Sequence, residues 1–323
     1  MVIVGLAGFA GVVVFGLLYI VFFFKGISLK IPVIGMAVFV LIVAAAALLP
    51  RLGITLPEFL TAGDGPSPTP GAEEPGESES PEAGGFPRQV LLDKRGLVIT
   101  ATGLDETGAQ GPVLHLSVEN RSETNVTVEI RDASVNGWMM DTSFSVAAAA
   151  GQETEGAILF LASRMERSGI ESVTDMEFSF HILDQNRVIF LDSDAVTVRA
   201  PAADTYQYRF DVAGEELYGD NGVRIISGGF SGNESAFGPS LMLFLENTTD
   251  RAITVQARDV SVNGTAADVI FSEDVLAGKR SAAAVTVIGV SLEEIREMRF
   301  SLHVVDRDRR TALFDTDFFT IIV

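Results

Sequence analysis

The chain has no cysteine, which removes disulfides, thiolate metal sites and thiol nucleophiles together. Histidine is scarce: His115, His181 and His303 are all there are, and tryptophan occurs once, at Trp138. A zinc site built on so few imidazoles would need carboxylates brought from elsewhere. No Gly-x-Ser-x-Gly elbow is present, and no histidine–acid order suits a serine nucleophile. A phosphate-binding glycine loop is also missing. Basic residues are few, 23 against 43 acids, for a net charge of −20. That balance excludes a nucleic-acid partner and repels anionic lipid surfaces. No catalytic, cofactor-binding or metal-ligating residue is assigned.

What the chain does have is one stretch written twice. Gly111–Gly137 (GPVLHLSVENRSETNVTVEIRDASVNG) and Gly238–Gly264 (GPSLMLFLENTTDRAITVQARDVSVNG) align without a gap at an offset of 127, with about half the columns identical. Each copy opens on a strict period of two, Leu114, Leu116 and Val118 matching Leu241, Leu243 and Leu245. Such alternation predicts a half-buried strand. After a polar turn a second strand buries Val126, Val128 and Ile130, or Ile253, Val255 and Ala257. Its parity fails at Arg131-Asp132 and Arg258-Asp259, which predicts a bulge or bend, with each pair holding its own break. Asn136-Gly137 and Asn263-Gly264 then predict type I′ hairpins.

The likeness runs on. Met176–Ile182 answers Met298–Val304, and Phe190, Asp192 and Asp194 answer Phe314, Asp315 and Asp317. The offset shrinks because the first copy has a longer connection around Ser163–Thr174. Each unit offers roughly seven strands in about a hundred residues, the size of an immunoglobulin-like sandwich. His181 and His303 fall on the face opposite Phe178/Phe180 and Phe300/Leu302, and read as solvent-facing strand residues. Asp192/Asp194 and Asp315/Asp317 could share one side and bind calcium weakly, but no acidic loop of fixed spacing accompanies them, so they read as solvated acids. Trp138 follows the first hairpin where the second copy has Thr265, so it reads as core or rim packing with a recognition anchor as the alternative. Sequons at Asn120, Asn125, Asn233, Asn247 and Asn263 read as accidents of a serine- and threonine-rich β sequence.

Residues 1–52 form the expected anchor. Two apolar runs, about 2–24 and 31–50, are each long enough to span a bilayer core of roughly 30 Å. Lys25 and Lys30 lie between them, which places that loop in the cytoplasm and both ends outside. Cleavage after the alanines near Ala44–Ala47 is the competing reading. Residues 1–51 carry +3, leaving −23 for the rest. Residues 61–87, rich in proline, glycine, serine and acid, read as a disordered stalk. The first sandwich is expected over 88–199 and the second over 207–323, joined by the short polar linker Pro201–Tyr206 and sharing little core. A brief helix is expected at Ser291–Met298, with Ser291 as cap and Glu294 three residues on.

Leu116–Ser122, Val126–Val128, Val135–Gly137 and Ala150-Gly151, with their second-copy matches, resemble the immunoglobulin-like domains of uncharacterised Gram-positive bacterial membrane-anchored surface proteins. The resemblance covers about two-thirds of the chain and fits the absence of cysteine in an exported protein. It implies two tandem sandwiches behind a two-helix anchor, an integral plasma-membrane protein with both β domains extracellular, and no activity or functional residue to carry over. The expected role is a non-enzymatic binding or spacer protein with no cofactor, facing a protein or cell-envelope partner. The alternative is an accessory subunit assembling into a larger membrane complex through its helices.

Overall fold

Strand alternation becomes burial almost residue by residue in the computed structural model, which describes residues 86–209, 211–232 and 236–323. The two apolar runs, the stalk up to residue 85 and the sequon at Asn233 lie outside those residues. Among the described residues no helix is long and apolar enough to cross a membrane.

In chain order the first segment holds β1 (Gln89–Lys94), β2 (Leu97–Asp105), β3 (Val113–Asn120), β4 (Val126–Val135), β5 (Trp138–Met139), β6 (Thr142–Ser143), β7 (Ser145–Ala148), β8 (Gln152–Phe160), α1 (Ala162–Arg167), β9 (Asp175–Asp184) and β10 (Ile189–Arg199). After a 3-10 turn at Pro201–Asp204 come β11 (Glu215–Asp220), β12 (Val223–Ser231), β13 (Ser240–Asn247), β14 (Ile253–Val262), β15 (Thr265–Ala266), β16 (Val269–Ile270), β17 (Ser272–Val275), β18 (Arg280–Val287), β19 (Glu297–Asp306), β20 (Thr311–Asp315) and β21 (Phe319–Ile322). The fold is mainly β. β1 and its counterpart β11 lie upstream of the opening strand expected from Leu97–Thr100.

In the first segment the sheet β1-β2-β3-β8-β6 faces a second sheet that holds β10-β9-β4, with β5 and β7 also on β4. In the second segment β11-β12-β13-β18, with β16 on β18, faces β14-β19-β20, with β15 and β17 on β14 and β21 on β19. Side chains from both sheets fill each sandwich: Leu114, Leu116, Val118, Val128, Phe178 and Phe180 in the first, Leu241, Leu243, Leu245, Val255, Phe300 and Leu302 in the second.

The expected breaks are real. Register shifts fall between Arg131 and Ser134 and between Arg258 and Ser261, with Asp132 and Asp259 at φ 60° and 50°. The hairpins are two-residue turns joining Val135 to Trp138 and Val262 to Thr265. Asn136 and Gly137 have φ 50° and 80°, and Asn263 and Gly264 have φ 50° and 76°, the signature of type I′. The asparagines do a second job. Asn136 Oδ1 accepts from Thr174 N at 2.8 Å, and Asn263 Oδ1 from Arg296 N at 2.9 Å, tying each hairpin to the loop before β9 or β19. The glycine that opens each copy is a close approach: a Cβ on Gly111 or Gly238 would lie 1.9 Å from Phe160 O or 2.0 Å from Val287 O.

Three expectations are corrected here. Asn120 and Asn247 are fully buried. Asn120 Nδ2 donates to Thr124 O and Ala148 O at 2.8 and 3.0 Å while its Oδ1 accepts from Ser122 N and Oγ at 3.0 and 2.6 Å. Asn247 repeats this with Arg251 O, Val275 O and Thr249. The Asn-x-Ser/Thr pattern at these two positions is therefore a structural Asx turn, since the hydroxyl two residues on completes the bonding of a buried amide. The expected helix at Ser291–Met298 is a single 3-10 turn, Leu292–Glu294, where the Glu294 carboxylate accepts from Ser291 N at 2.8 Å. The third correction is the largest. Arg280 N donates to Gly137 O at 3.0 Å, and β5 pairs in parallel with β18. A 10-stranded sheet thus runs through both segments, in the order β10-β9-β4-β5-β18-β13-β12-β11 with β7 on β4 and β16 on β18, and the described residues make one compact unit.

Candidate functional site at the junction

Trp138 is 1% exposed and belongs to the core of the first sandwich, but that core also takes in Ala282 and Phe244 from the second. Its indole meets Phe244 edge-on at 6.3 Å, and the Arg280 guanidinium lies 5.8 Å from its ring. In return, Met139 packs in the core of the second sandwich. The tryptophan is core packing, as expected, but of the joint rather than of either unit alone.

The acceptor surface is the outer face of β12, β13 and β18, where Ile226, Phe244 and Ala282 lie. The matching positions of the first copy are Thr100, Ser117 and Glu155, all polar. Tyr208 and Val212, between β10 and β11, pack on the same core, and the Tyr208 hydroxyl donates to Ser168 O. Burial pushes that phenol well above its ordinary range.

Ionic contacts surround this apolar centre. Arg164, from the connection that the second copy lacks, bonds Asp141 at 2.8 Å on its own side. Across the junction it reaches Glu273 at 3.1 Å and Ala282 O at 2.8 Å. Ser281 Oγ donates to Glu273 at 2.5 Å. Burial alone would depress the Arg164 guanidinium, yet Glu273 and Asp141 more than reverse that and hold it above the ordinary arginine range. Lys279 pairs with Glu177 at 3.1 Å, and Arg307 with Asp132 at 2.6 Å and Asp274 at 3.1 Å. Asp132 therefore pairs across the junction, not with Arg131 to hold its own bend. A cavity of about 310 Å³ opens beside Trp138, lined by Arg224, Glu246 and Arg280 among others. Its arginines are already matched: Arg280 to Glu246 at 3.3 Å and Arg224 to Glu216 at 2.6 Å.

The candidate histidines are placed differently from expectation. His181 and His303 are 5% and 8% exposed, and each Nδ1 lies 2.6 Å from Oδ1 of Asp192 or Asp315. Each lies on a strand paired on both sides, facing Glu129 and Asp192 for His181 and Gln256 and Asp315 for His303. That enclosure replaces solvent with a carboxylate. The paired aspartates are not side by side either. β10 bulges between Asp192 and Ala195, so Asp192 turns to His181 while Asp194 lies 3.6 Å from Lys94. At each break a hydroxyl stands in for the sheet ladder: Ser193 Oγ accepts from Phe180 N at 2.8 Å and Thr316 Oγ1 from Leu302 N at 2.9 Å. Neither histidine is hydrogen-bonded to a serine or threonine hydroxyl among the described residues. The arrangement fastens the last strand to the sheet. The spacing His–x10/11–Asp–Ser/Thr–Asp, present in both copies, was the signal for it. His115 is exposed on β3.

No family model matches the chain, and no curated protein matches it significantly. Among solved structures it is similar to the YadV chaperone at 10% identity and TM-score 0.23, covering 71% of this chain and 100% of that one. The periplasmic chaperone SfaE gives 12% and 0.22, covering 68% and 97%. A Bacteroides uniformis β-glucuronidase gives 13% and 0.21, covering 65% of this chain and 26% of the enzyme. Similarity this low transfers no activity or partner, and the architecture rests on the strand pairing itself.

Proposed function

We propose that the chain is a non-enzymatic, membrane-anchored surface protein whose two immunoglobulin-like sandwiches, held as one rigid body, serve outside the cell as a spacer or binding module. The observation that carries this reading is the junction. A sheet continuous through both sandwiches, a shared tryptophan and a buried arginine network are what a rigid display element needs and an enzyme with a mobile cleft does not. The apolar runs around Lys25 and Lys30, and the resemblance to Gram-positive anchored proteins, support the placement at the plasma membrane.

Single cysteines test the placement, because the chain has none of its own. In intact cells an impermeant thiol reagent should label Ser78→Cys and spare Ser28→Cys; the reverse pattern would overturn the topology. Co-purification of an integral membrane protein with the full chain, lost when residues 1–52 are replaced by an unrelated anchor, would favour the accessory-subunit reading instead.

A further inference from the structure

The two sandwiches finish their last strands differently. In the first, the Gln89 side chain reaches β10, accepting from Arg199 N at 3.1 Å and donating to Arg199 O at 3.0 Å. A carboxamide can do both, whereas a carboxylate can only accept. β1 ends at Lys94 opposite Leu97 and β11 at Asp220 opposite Val223, so the residue matching Gln89 in the second sandwich is Glu215. Among the described residues no hydrogen bond joins Glu215 to β21.

The orientation of β21 follows from its neighbours. Val323 N donates inward to Arg296 O at 3.0 Å, as Ala200 N does to Thr174 O at 2.9 Å in the first sandwich. By alternation Ile322 turns its N–H and C=O to the open edge, as Arg199 does, and Thr320 does the same. The first sandwich shows Ala195, Thr197 and Arg199 on the exposed face of this strand, with Arg199 ion-paired to Asp204 of the following proline-led turn. The second shows Phe318, Thr320 and Ile322, with Phe318 45% and Ile322 71% exposed. One edge has a capped amide and a charge. The other, Phe318–Val323, carries neither of these devices against edge pairing.

We propose that β21 is a self-pairing edge, and that two copies of this chain join through antiparallel β21 strands related by a two-fold axis at Thr320. In that register Phe318 faces the partner's Ile322 and Ile322 faces the partner's Phe318, two aromatic–β-branched pairs flanking a threonine pair. The self-complementarity selects a second copy over an unrelated strand. On the same exposed face the Arg299 guanidinium lies 3.4 Å from the Phe318 ring centre, so the aromatic ring is held in place beside the edge. The inference does not depend on the anchor.

Disulfide trapping of the full chain tests it. Under mild oxidation Thr320→Cys should form a covalent dimer, and the matching first-sandwich variant Thr197→Cys should not. Phe318→Cys and Ile322→Cys should link to each other when co-expressed and only weakly to themselves. Adding Ile322→Lys to Thr320→Cys should cut the dimer about tenfold, with thermal unfolding unchanged because the site is exposed. A Thr320→Cys yield no higher than that of Thr197→Cys, or one indifferent to Ile322→Lys, would overturn the proposal. Self-linking of Phe318→Cys as efficient as the mixed pair would overturn the register and with it the two-fold axis.

Discussion

The first and second sandwiches are close relatives in their interiors and opposites where they meet. Leu114, Leu116 and Val118 match Leu241, Leu243 and Leu245, and the buried asparagines, Asn-Gly hairpins and His–Asp pairs recur in both. At the junction the first copy presents Trp138, Met139 and Arg164, where the second has Thr265, Ala266 and no counterpart for the arginine. The second presents Ile226, Phe244 and Ala282, where the first has Thr100, Ser117 and Glu155. A duplicated fold thus keeps what builds each unit and changes what lets one unit dock on the other. The contact is head-to-tail, joining different surfaces of two similar bodies.

Mutations that strike one copy's special residues should separate most sharply from their matches. Trp138→Ala should destabilise a fragment spanning residues 77–323 by about 3–5 kcal/mol in urea unfolding. It should also split one transition into two, whereas Thr265→Ala should cost less than about 0.5 kcal/mol. Arg164→Ala leaves Glu273 half-enclosed without its partner and should cost about 3 kcal/mol. Glu273→Gln combined with Arg164→Met should recover part of that loss in a double-mutant cycle. No recovery would mean the two side chains act independently.

Mutations at shared features should give matched effects. Asn120→Ala and Asn247→Ala each strand several buried backbone groups and should each cost about 2–3 kcal/mol. Gly137→Val and Gly264→Val should each cost about 1–3 kcal/mol. A Cβ at either glycine meets nothing within 4 Å, so the whole penalty is the positive φ. Because the sandwiches share a core, each valine should move the common transition and not one half of it. At the rim of the junction the effect is small: Glu177→Gln, opposite Lys279, should cost less than about 1 kcal/mol and less still in high salt. Two valine variants that melt separate halves would show the junction to be a contact without cooperativity.

Periodicity made the strands, the bulges and the hairpins legible, because an alternating strand reports directly which side is buried. It does not report what lies on the other side. His181 and His303 have the parity of outward residues and are nonetheless enclosed, since a neighbouring strand supplies a carboxylate at hydrogen-bonding distance. Asn120 and Asn247 looked like sequons because a buried Asx turn uses the same three-residue spacing. The junction was legible in principle. An apolar residue at Phe244 and Ala282, where the sister copy has Ser117 and Glu155, marks a surface that something covers. A column-by-column comparison of the copies for their differences, and not for their identities, would have found it.

Gln89 grips Arg199, so the chain comes into the first sandwich and leaves it at the same end, side by side. A pull applied between Phe86 and the second sandwich therefore has a short path through that grip and the Pro201–Asp204 turn. The strands of the first sandwich, docked on the second, lie off this path, and while the amide pair holds, tension along it bypasses their core. Once it lets go, load falls on β1 and β10 at their adjacent ends and unzips them from there, a mode that meets resistance one bond at a time. The first contact to yield on that path is then a single glutamine side chain, at a position where its sister carries Glu215.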